Sequence, residues 1–507
     1  MPNQGKQSDD YVSRRRFVQA AAAAGIAGVA GCGADGGDTP TATEGSGSDG
    51  SMATATPYED QKKWLQEVSK PFDGQTITLV TESTPASLFY KDHTDEFKDL
   101  TGITVNFQDV AWGEMYNREV SAAVANEAGL DIGYLEQDAL AAFAQKGWIT
   151  NLDEFKQQNP ELVMPNFDID DFVPFAQNFR YPRADSPFYA YPMESFLKLR
   201  IHREDVYDQV SGQLSFDGYP SNPSQYEESA KVIDENTDMA GHAAQVTGVT
   251  GPYAMVESYF PLFGVYNWGL NTDKWTALET RGGSLNSDAA VKGLKHYKKL
   301  LQYAPDGVRS YSFSGVADAV TASQAAQGMT YAENFGSMVR ADKDYESSVL
   351  DAELPWAKQS TMEAAKNDNG YIGYYDGGGW AIMAPSKKKK AAFLFIQYVT
   401  RKEMAKDLAA ETGAVVRNSA LQSVKDGTIN NATGYFDIYE QQASLFNGNP
   451  VGEVQKAMIE GPIFNNFHEF IADNMSAREA ANEMAWQAEQ LLNQMGYLGS
   501  TLDEKPF

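Results

Sequence analysis

Apolar residues along the first third of the chain alternate between strand-like and helix-like spacing. β-branched runs over 76–80, 103–107 and 131–135 each predict a strand, because such side chains pack well on a pleated surface. Helical spacing accompanies these runs over 89–100, 114–126 and 139–146. A helix between successive strands requires crossover connections, so this region predicts a parallel, doubly wound α/β sheet that binds its ligand at the carboxyl ends of the strands.

The same alternation returns in the second half of the chain. A strand is predicted over 329–331, and three glycines at 377–379 lead into another over 380–383. The glycines permit either a tight turn or a close approach of backbone amides to a ligand. Helical spacing recurs over 289–303 and 387–399. At roughly 100–200 residues per domain, the chain is long enough for two or more lobes with separate cores.

The N-terminal segment resembles an export signal. Paired arginines, Arg14 and Arg15, precede Phe17 and an uncharged run of alanine and glycine over 19–30. This run is shorter than the ~20 residues that span a bilayer, and small residues dominate it. We therefore interpret 1–31 as a twin-arginine lipoprotein signal peptide that is removed from the mature protein.

Cys32 is the only cysteine in the chain, and it directly follows the predicted signal peptide. Val29-Ala30-Gly31-Cys32 resembles a lipobox, so Cys32 is predicted to carry lipid; a chance cysteine is the alternative. Residues 32–57 are mostly Gly, Ser, Thr, Asp and Pro, which cannot bury enough surface to fold. The segment predicts a disordered tether that holds the folded body at the outer face of the membrane.

Composition excludes several classes of function. The 507 residues carry 69 Asp+Glu against 41 Lys+Arg, a net charge of -28 that repels nucleic acid. A single cysteine rules out an intramolecular disulfide framework and a zinc site built from cysteines. We interpret the acidity as adaptation to salt, typical of a haloarchaeal source, because molar salt screens such charge over ~3 Å. Plain solubility is the alternative.

Four segments, taken in order, resemble the sugar-type extracellular solute-binding proteins of ATP-driven importers. Tyr189-Ala190-Tyr191-Pro192 is similar to the segment that opens the family's first crossing between lobes. Residues 323–330 and 378–396 resemble two later elements of the family, a short helix with Gly and Met and a strand followed by a lysine-rich turn and an apolar helix. Gly413-Ala414-Val415-Val416-Arg417 resembles a turn beyond that helix, with Val where Pro is usual.

The resemblance implies a two-lobe α/β fold of the type II periplasmic-binding-protein kind, with several strands crossing between the lobes around a cleft. One lobe is expected to combine 58–195 with 309–383, and the other to combine 196–308 with 384–507. The expected partners are a small solute, a sugar or polyol, and the membrane permease of the importer. We expect a monomer that touches the membrane through its lipid only, that performs no chemistry, and that needs no cofactor or metal.

Binding residues are expected where a strand ends or where the family resemblance places them. Sugars present apolar faces edged with hydroxyl groups, so aromatic platforms and fixed hydrogen-bonding groups are required. For each aromatic residue, packing in a core is the alternative to stacking on a ligand. The candidates are Glu82, Trp112, Glu136, Asp138, Tyr191, Glu257, Tyr259, Phe260, Glu333, Asn334, Tyr375, Asp376, Trp380 and Arg417.

Two other functions remain open from the sequence. An acidic cleft also suits a polyamine or another cation. A pair of carboxylates such as Glu82 and Glu136 could hydrolyse a glycoside, because that chemistry needs two acids ~5–9.5 Å apart. The five histidines are scattered singly, and the sequence contains neither a phosphate-binding loop nor a serine nucleophile elbow. A binding protein is therefore the main hypothesis.

Overall fold

The computed structural model describes residues 58–182, 185–332, 334, 350–353, 375–430, 435–437, 439–440 and 452–507. Its strands are β1 (Thr76–Glu82), β2 (Thr104–Val110), β3 (Ile132–Glu136), β4 (Ala190–Pro192), β5 (Phe196–Arg203), β6 (Gln327–Tyr331), β7 (Leu350–Glu353), β8 (Tyr375–Asp376) and β9 (Gly378–Ile382).

Helices surround these strands throughout the described part of the chain. They are α1 (Tyr58–Val68), α2 (Pro85–Asp92), α3 (Thr94–Thr101), α4 (Trp112–Ala125), α5 (Gln137–Gln145), α6 (Leu152–Gln158), α7 (Glu204–Val210), α8 (Pro223–Asn236), α9 (Thr250–Ala254), α10 (Asp288–Leu300), α11 (Gly315–Thr321), α12 (Lys389–Val399), α13 (Lys402–Thr412), α14 (Asn418–Lys425), α15 (Gly452–Met458), α16 (Phe464–Ile471) and α17 (Ala477–Gln494). π-helical turns follow α9 at Met255–Tyr259 and join α15 to α16 at Ile459–Ile463.

The first sheet has the strand order β2-β1-β3-β9-β4. β1 pairs in parallel with both β2 and β3, as the alternation of strands and helices predicts. β9 runs antiparallel between β3 and β4, with Trp380 opposite both Tyr134 and Tyr191. The parallel pairing predicted within 76–135 is therefore confirmed, and β9 joins the sheet antiparallel because the chain enters this strand from the second sheet and not through a helical crossover.

The second sheet is antiparallel and has the order β6-β5-β7, with β8 paired to the start of β5. β6 and β7 lie on opposite sides of β5. These strands complete a sheet that β5 begins, and the assignment of 309–383 to the first lobe stays a prediction.

In the part of the chain that the structure describes, two chain crossings connect the sheets, side by side. Residues 193–195, the crossing segment, link β4 to β5, and Gly377 links β8 to β9. The Met193 amide donates to the Gly378 carbonyl at 2.9 Å. A Cβ atom on Gly377 would lie 2.1 Å from the Glu194 carbonyl oxygen, and one on Gly378 would lie 1.8 Å from the Tyr134 ring. These glycines make room for neighbouring protein groups.

Buried side chains form two large cores. The first contains the first sheet and continues beneath β5, and the second contains most of 226–308 and 454–498. α12 belongs to the first core, where Phe393 meets Phe155 and Phe395 meets Phe97 at ring-centre distances of 5.3 and 5.1 Å. The region of α12 to α14 therefore packs with the first sheet, and the division into lobes expected from the sequence stays a prediction. Among the described residues, no helix combines the length and the apolar character that crossing a membrane requires.

Candidate ligand-binding site

A cavity of about 430 Å³ lies between groups that pack against the two cores. One wall is the first turn of α4, which follows β2 and begins at Trp112. The 247–250 turn and Ser312 supply further lining, and α16 with the π-helical turn before it supplies the rest. The lining residues are Trp112, Gly113, Thr247, Gly248, Val249, Thr250, Ser312, Glu460 and Phe464.

Trp112 supplies an aromatic surface held in a fixed orientation. Its ring stacks on that of Tyr116, one helical turn later, with planes 11° apart and ring centres 6.1 Å apart. Trp112 Nε1 donates a hydrogen bond to Glu136 Oε1 at 3.0 Å. Glu136 is the last residue of β3, so the carboxyl ends of β2 and β3 meet at this position, as predicted.

Lys456, on α15, reaches into the same group of residues. Its Nζ lies 3.5 Å from the centre of the Trp112 ring and 4.4 Å from that of Tyr116. Carboxylate oxygens of Glu136 and Glu460 lie 3.8 and 3.7 Å from Nζ. Only 6% of the lysine side chain is exposed. A helix that packs on the second core through Val454 and Met458 thus contacts the first-core wall of the cavity.

A second group of carboxylates lies at the end of β1 and in the crossing segment. Glu194 is fully buried and accepts hydrogen bonds from Tyr134 Oη at 2.5 Å and Thr84 Oγ1 at 2.7 Å. Burial raises the pKa of Glu194 to about 7 against those two bonds. Burial and the nearby Glu194 charge raise the pKa of Glu82 to about 8, and Lys456 opposes the shift. These groups therefore retain protons near neutral pH.

Glu257 and Asn334 lie behind the cavity lining and stabilise the backbone at Phe313, next to Ser312. Glu257 forms a buried ion pair with Lys198 at 3.6 Å. The lysine also donates to Gln245 Oε1 at 3.3 Å, and Gln245 Nε2 donates to the Phe313 carbonyl at 2.7 Å. Asn334 Nδ2 donates to that same carbonyl at 3.3 Å. Both predicted residues thus position the backbone next to Ser312 and do not line the cavity.

Four predicted aromatic residues lie in the cores, and their assignment to the ligand site stays a prediction. Trp380 has no exposed surface and contacts the rings of Tyr90, Phe107 and Tyr134 edge-on. The remaining three are buried among other aromatic or aliphatic side chains, and they are Tyr191, Tyr259 and Phe260.

Arg417 is also buried in a core, and its predicted role in binding stays a prediction. Its guanidinium donates to the carbonyls of Thr400 and Asp168, each at 2.7 Å, and lies 3.5 Å from an Asp171 carboxylate oxygen. Burial lowers its pKa to about 10, and the charge of Asp171 opposes that shift. The arginine joins the loop before α14 to the 168–172 region.

Several predicted residues cannot be placed. The backbone of Asp138 belongs to α5 and that of Tyr375 and Asp376 to β8, but the side chains of these three lie outside the description. The residues wholly outside the described ranges are Glu333, Cys32, Arg14 and Arg15.

Sequence reasoning missed Glu194, Tyr116, Lys456 and Glu460. Glu194 follows the Tyr-Pro pair that opens the crossing, so its position beside that motif was an available signal. Tyr116 lies one turn after Trp112 on a predicted helix. Lys456 and Glu460 carried no signal, because nothing local to α15 shows that this helix packs near β3.

Two α/β lobes with strands that cross between them and a cavity at their junction define a two-lobe binding protein. The chain belongs to the bacterial extracellular solute-binding proteins, because the sequence model of that family matches residues 81–406, well over half of the chain. Two of the similar proteins are named as binding proteins of ABC transporters.

Similar proteins agree in fold across most of the chain. A ribitol complex of an importer's solute-binding protein from Agrobacterium radiobacter K84 has a TM-score of 0.67 at 19% identity, covering 83% of this chain and 100% of that one. Maltose-bound MalE3 of T. maritima has a TM-score of 0.69 at 16% identity, with coverage of 82% and 100%. A probable amino-acid importer's periplasmic-binding protein, y4oP of Sinorhizobium fredii, is 20% identical over 85% of this chain and 92% of its own.

Proposed function

We propose that this protein is a lipid-anchored receptor at the outer face of the cell membrane, which captures a sugar or polyol in the cavity beside Trp112. It then delivers the solute to the membrane permease of an ATP-driven importer and performs no chemistry itself. The observation that carries the proposal is the cavity of about 430 Å³, whose lining combines an oriented tryptophan with Thr247, Thr250 and Ser312.

The cavity suits a small polyhydroxylated solute. An indole ring can stack on the apolar face of a sugar, while Thr247, Thr250 and Ser312 offer hydroxyl groups from the same lining. Its volume is within the ~300–1,000 Å³ range of ligand pockets. The ribitol and maltose named for two similar structures are of this chemical class, which supports extending it to this chain.

Binding by several parts of the lining provides a mechanism for signalling occupancy. A solute that contacts both Trp112 and Thr247 gains its full set of contacts only when the lobes are together. Such a ligand shifts the population toward the closed form by its differential affinity for the two states. The permease would then recognise a surface that exists when the lobes are closed.

A thermal-shift screen in molar salt tests the solute class. Sugars, polyols, polyamines and amino acids are compared, and calorimetry follows for each hit. A true ligand at 100 times its Kd stabilises the folded protein by about 2.7 kcal/mol. Stabilisation by sugars or polyols is expected. Stabilisation by polyamines or amino acids alone would overturn the sugar assignment and leave the receptor role intact, and turnover of a glycoside would replace the receptor with a hydrolase.

Membrane attachment is tested separately through Cys32. Lipid on this cysteine should place the protein in the membrane fraction, and Cys32→Ser is expected to release it to the medium. Ser46→Ala, in the same predicted tether, is the matched control and should remain attached. Continued attachment of Cys32→Ser would reject the anchor.

A further inference from the structure

The ammonium group of Lys456 lies inside a cage made by other residues. The rings of Trp112 and Tyr116 contact it, and the carboxylates of Glu136 and Glu460 lie within ion-pair distance. Proteins recognise ammonium ligands with this combination, because aromatic faces and carboxylates both attract a cation that has lost part of its water. Lys456 thus lies among groups of the kind that bind ammonium ligands.

A second lysine–tryptophan pair shows that the cage is distinct from a surface contact. Lys146 Nζ lies 4.5 Å from the centre of the Trp148 ring, but that lysine is exposed. Lys456 is closer to its ring and almost completely buried. The desolvated arrangement makes a cation–π contact stronger than an exposed one.

The cage is continuous with the cavity, since Trp112 and Glu460 belong to both. Glu136 adds a further connection through its hydrogen bond from Trp112. A solute in the cavity thus lies next to a group of residues suited to a positive charge.

We propose that Lys456 is a specificity-determining residue, which occupies the cage and so prevents cationic solutes from using it. The inference rests on the proposed function in that the cavity is taken as the solute site. Because the lysine is part of the chain, it competes as an intramolecular ligand at high effective concentration. A free amine must displace Lys456 before it can bind in the cage, whereas a neutral polyol does not compete with Lys456. The cleft would therefore select neutral solutes despite the carboxylates around it.

Chemical rescue tests the occupied cage without any sugar. Lys456→Ala is titrated with n-propylammonium chloride, at ionic strength held constant with sodium chloride, and the melting temperature is recorded. We expect a saturable rise in Tm for this variant, with no saturable rise for the wild type or for Lys456→Arg, which keeps a cation in place. n-Propanol, the neutral counterpart, should give no saturable rise.

Matched variants separate the cage from general effects of the amine. Lys146→Ala, which vacates the exposed tryptophan pair, should show no rescue. Adding Glu136→Gln to Lys456→Ala should weaken n-propylammonium binding by about tenfold, because one carboxylate of the cage loses its charge. A folded Lys456→Ala protein that does not respond to the amine would overturn the proposal. If Lys456→Ala does not fold, Lys456→Ser serves as the second variant with the same criteria.

Selectivity is measured next, with the neutral solute found by the screen and its amino-substituted analogue. Vacating the cage should raise the affinity ratio of the analogue to the neutral solute by about tenfold or more. An unchanged ratio would overturn the specificity role. Failure of the sugar assignment would be seen in a different experiment, the thermal-shift screen, as the absence of any sugar or polyol hit with the wild-type protein.

Discussion

Trp112 and Trp380 belong to the same half of the molecule and to opposite environments. Trp112 follows the end of β2, is half-buried, and lines the cavity. Trp380 lies in the middle of β9, has no exposed surface, and is enclosed by aromatic rings. Two residues of one type, both candidates for stacking on a sugar, thus have different roles.

The difference shows what determines whether an aromatic residue can meet a ligand. A side chain beyond the end of a strand extends past the sheet, where the crossing chains leave room for a solute. A side chain within a central strand points at the helices that cover the sheet, so it packs in the core and does not reach a ligand. Glycines next to the tryptophan of β9 do not change this, because Gly378 and Gly379 lie against the Tyr134 and Phe179 rings.

The largest expected effect is on the core tryptophan. Trp380→Ala should lower the free energy of unfolding by about 3–5 kcal/mol, because a large side chain leaves a cavity among rings that cannot collapse into it. Urea denaturation followed by circular dichroism measures the loss. Solute affinity of the folded protein should stay at the wild-type value. A stable variant that had lost binding would return Trp380 to the ligand site.

The stability of the fold should depend on pH through the Tyr134–Glu194 pair beside Trp380. Tyr134 packs edge-on against Trp380 and donates its hydroxyl to Glu194, whose pKa rises from 4.5 to about 7. The folded protein binds this proton more tightly than the unfolded chain, so the contribution to stability is complete below about pH 4.5 and is lost as pH rises through about 7. The total contribution of this proton to the free energy of unfolding is about 3 kcal/mol, at 1.36 kcal/mol per pKa unit.

Glu194→Gln should remove that part of the pH dependence, as measured by denaturation at a series of pH values. Glu479→Gln is the control, since Glu479 is exposed and hydrogen bonds from Ser476 lower its pKa. The contribution of Glu479 to stability is lost as pH falls, below the range in which the contribution of Glu194 is lost. An unaltered slope between pH 4.5 and 7 in Glu194→Gln would assign the titration to other groups.

A smaller effect is expected on binding at the cavity tryptophan. Trp112→Ala should weaken solute binding by about 1–3 kcal/mol, because the stacking surface is lost. Calorimetry with the solute found by the screen gives the change in Kd. Trp148→Ala provides the matched control, because that half-buried tryptophan packs on Phe143 and does not line the cavity. Equal losses in both variants would point to a general destabilisation.

The smallest effect separates the ring from its hydrogen bond. Trp112→Phe keeps an aromatic face but loses the Nε1 donor to Glu136, and should weaken binding by about 1 kcal/mol. A double-mutant cycle with Glu136→Gln measures how much of that loss belongs to the pair. A coupling energy of zero would show that orientation of the ring does not depend on Glu136.

Local pattern predicted much of the first sheet and its helices. The β-branched runs correspond to β1, β2 and β3, which end two, three and one residues later than predicted, in that order. The predicted helix over 114–126 corresponds to α4. The single helix predicted over 89–100 is two helices, divided at His93. The direction of β9 and the packing of α12 could not be predicted, because both depend on contacts between segments far apart in sequence.

The candidate site was predictable only on the side that the strand ends supply. Glu82, Trp112 and Glu136 follow from topology, because parallel strands bring their carboxyl ends together. The core roles of Trp380 and Arg417 depend on which neighbours surround them, which no local signal reports. Lys456 was missed for the same reason, since its partners Trp112 and Glu136 are close in space and distant in the chain.

The insertion of β9 between β3 and β4 has a consequence for biosynthesis. Both neighbouring strands leave the ribosome long before their shared partner, so each keeps an unpaired edge until residue 382 has been translated. At ~5–20 residues per second, this leaves the nascent chain with exposed backbone donors and acceptors for many seconds. Chaperone protection during that interval, more than the stability of the finished fold, should set the yield of this protein in a foreign host.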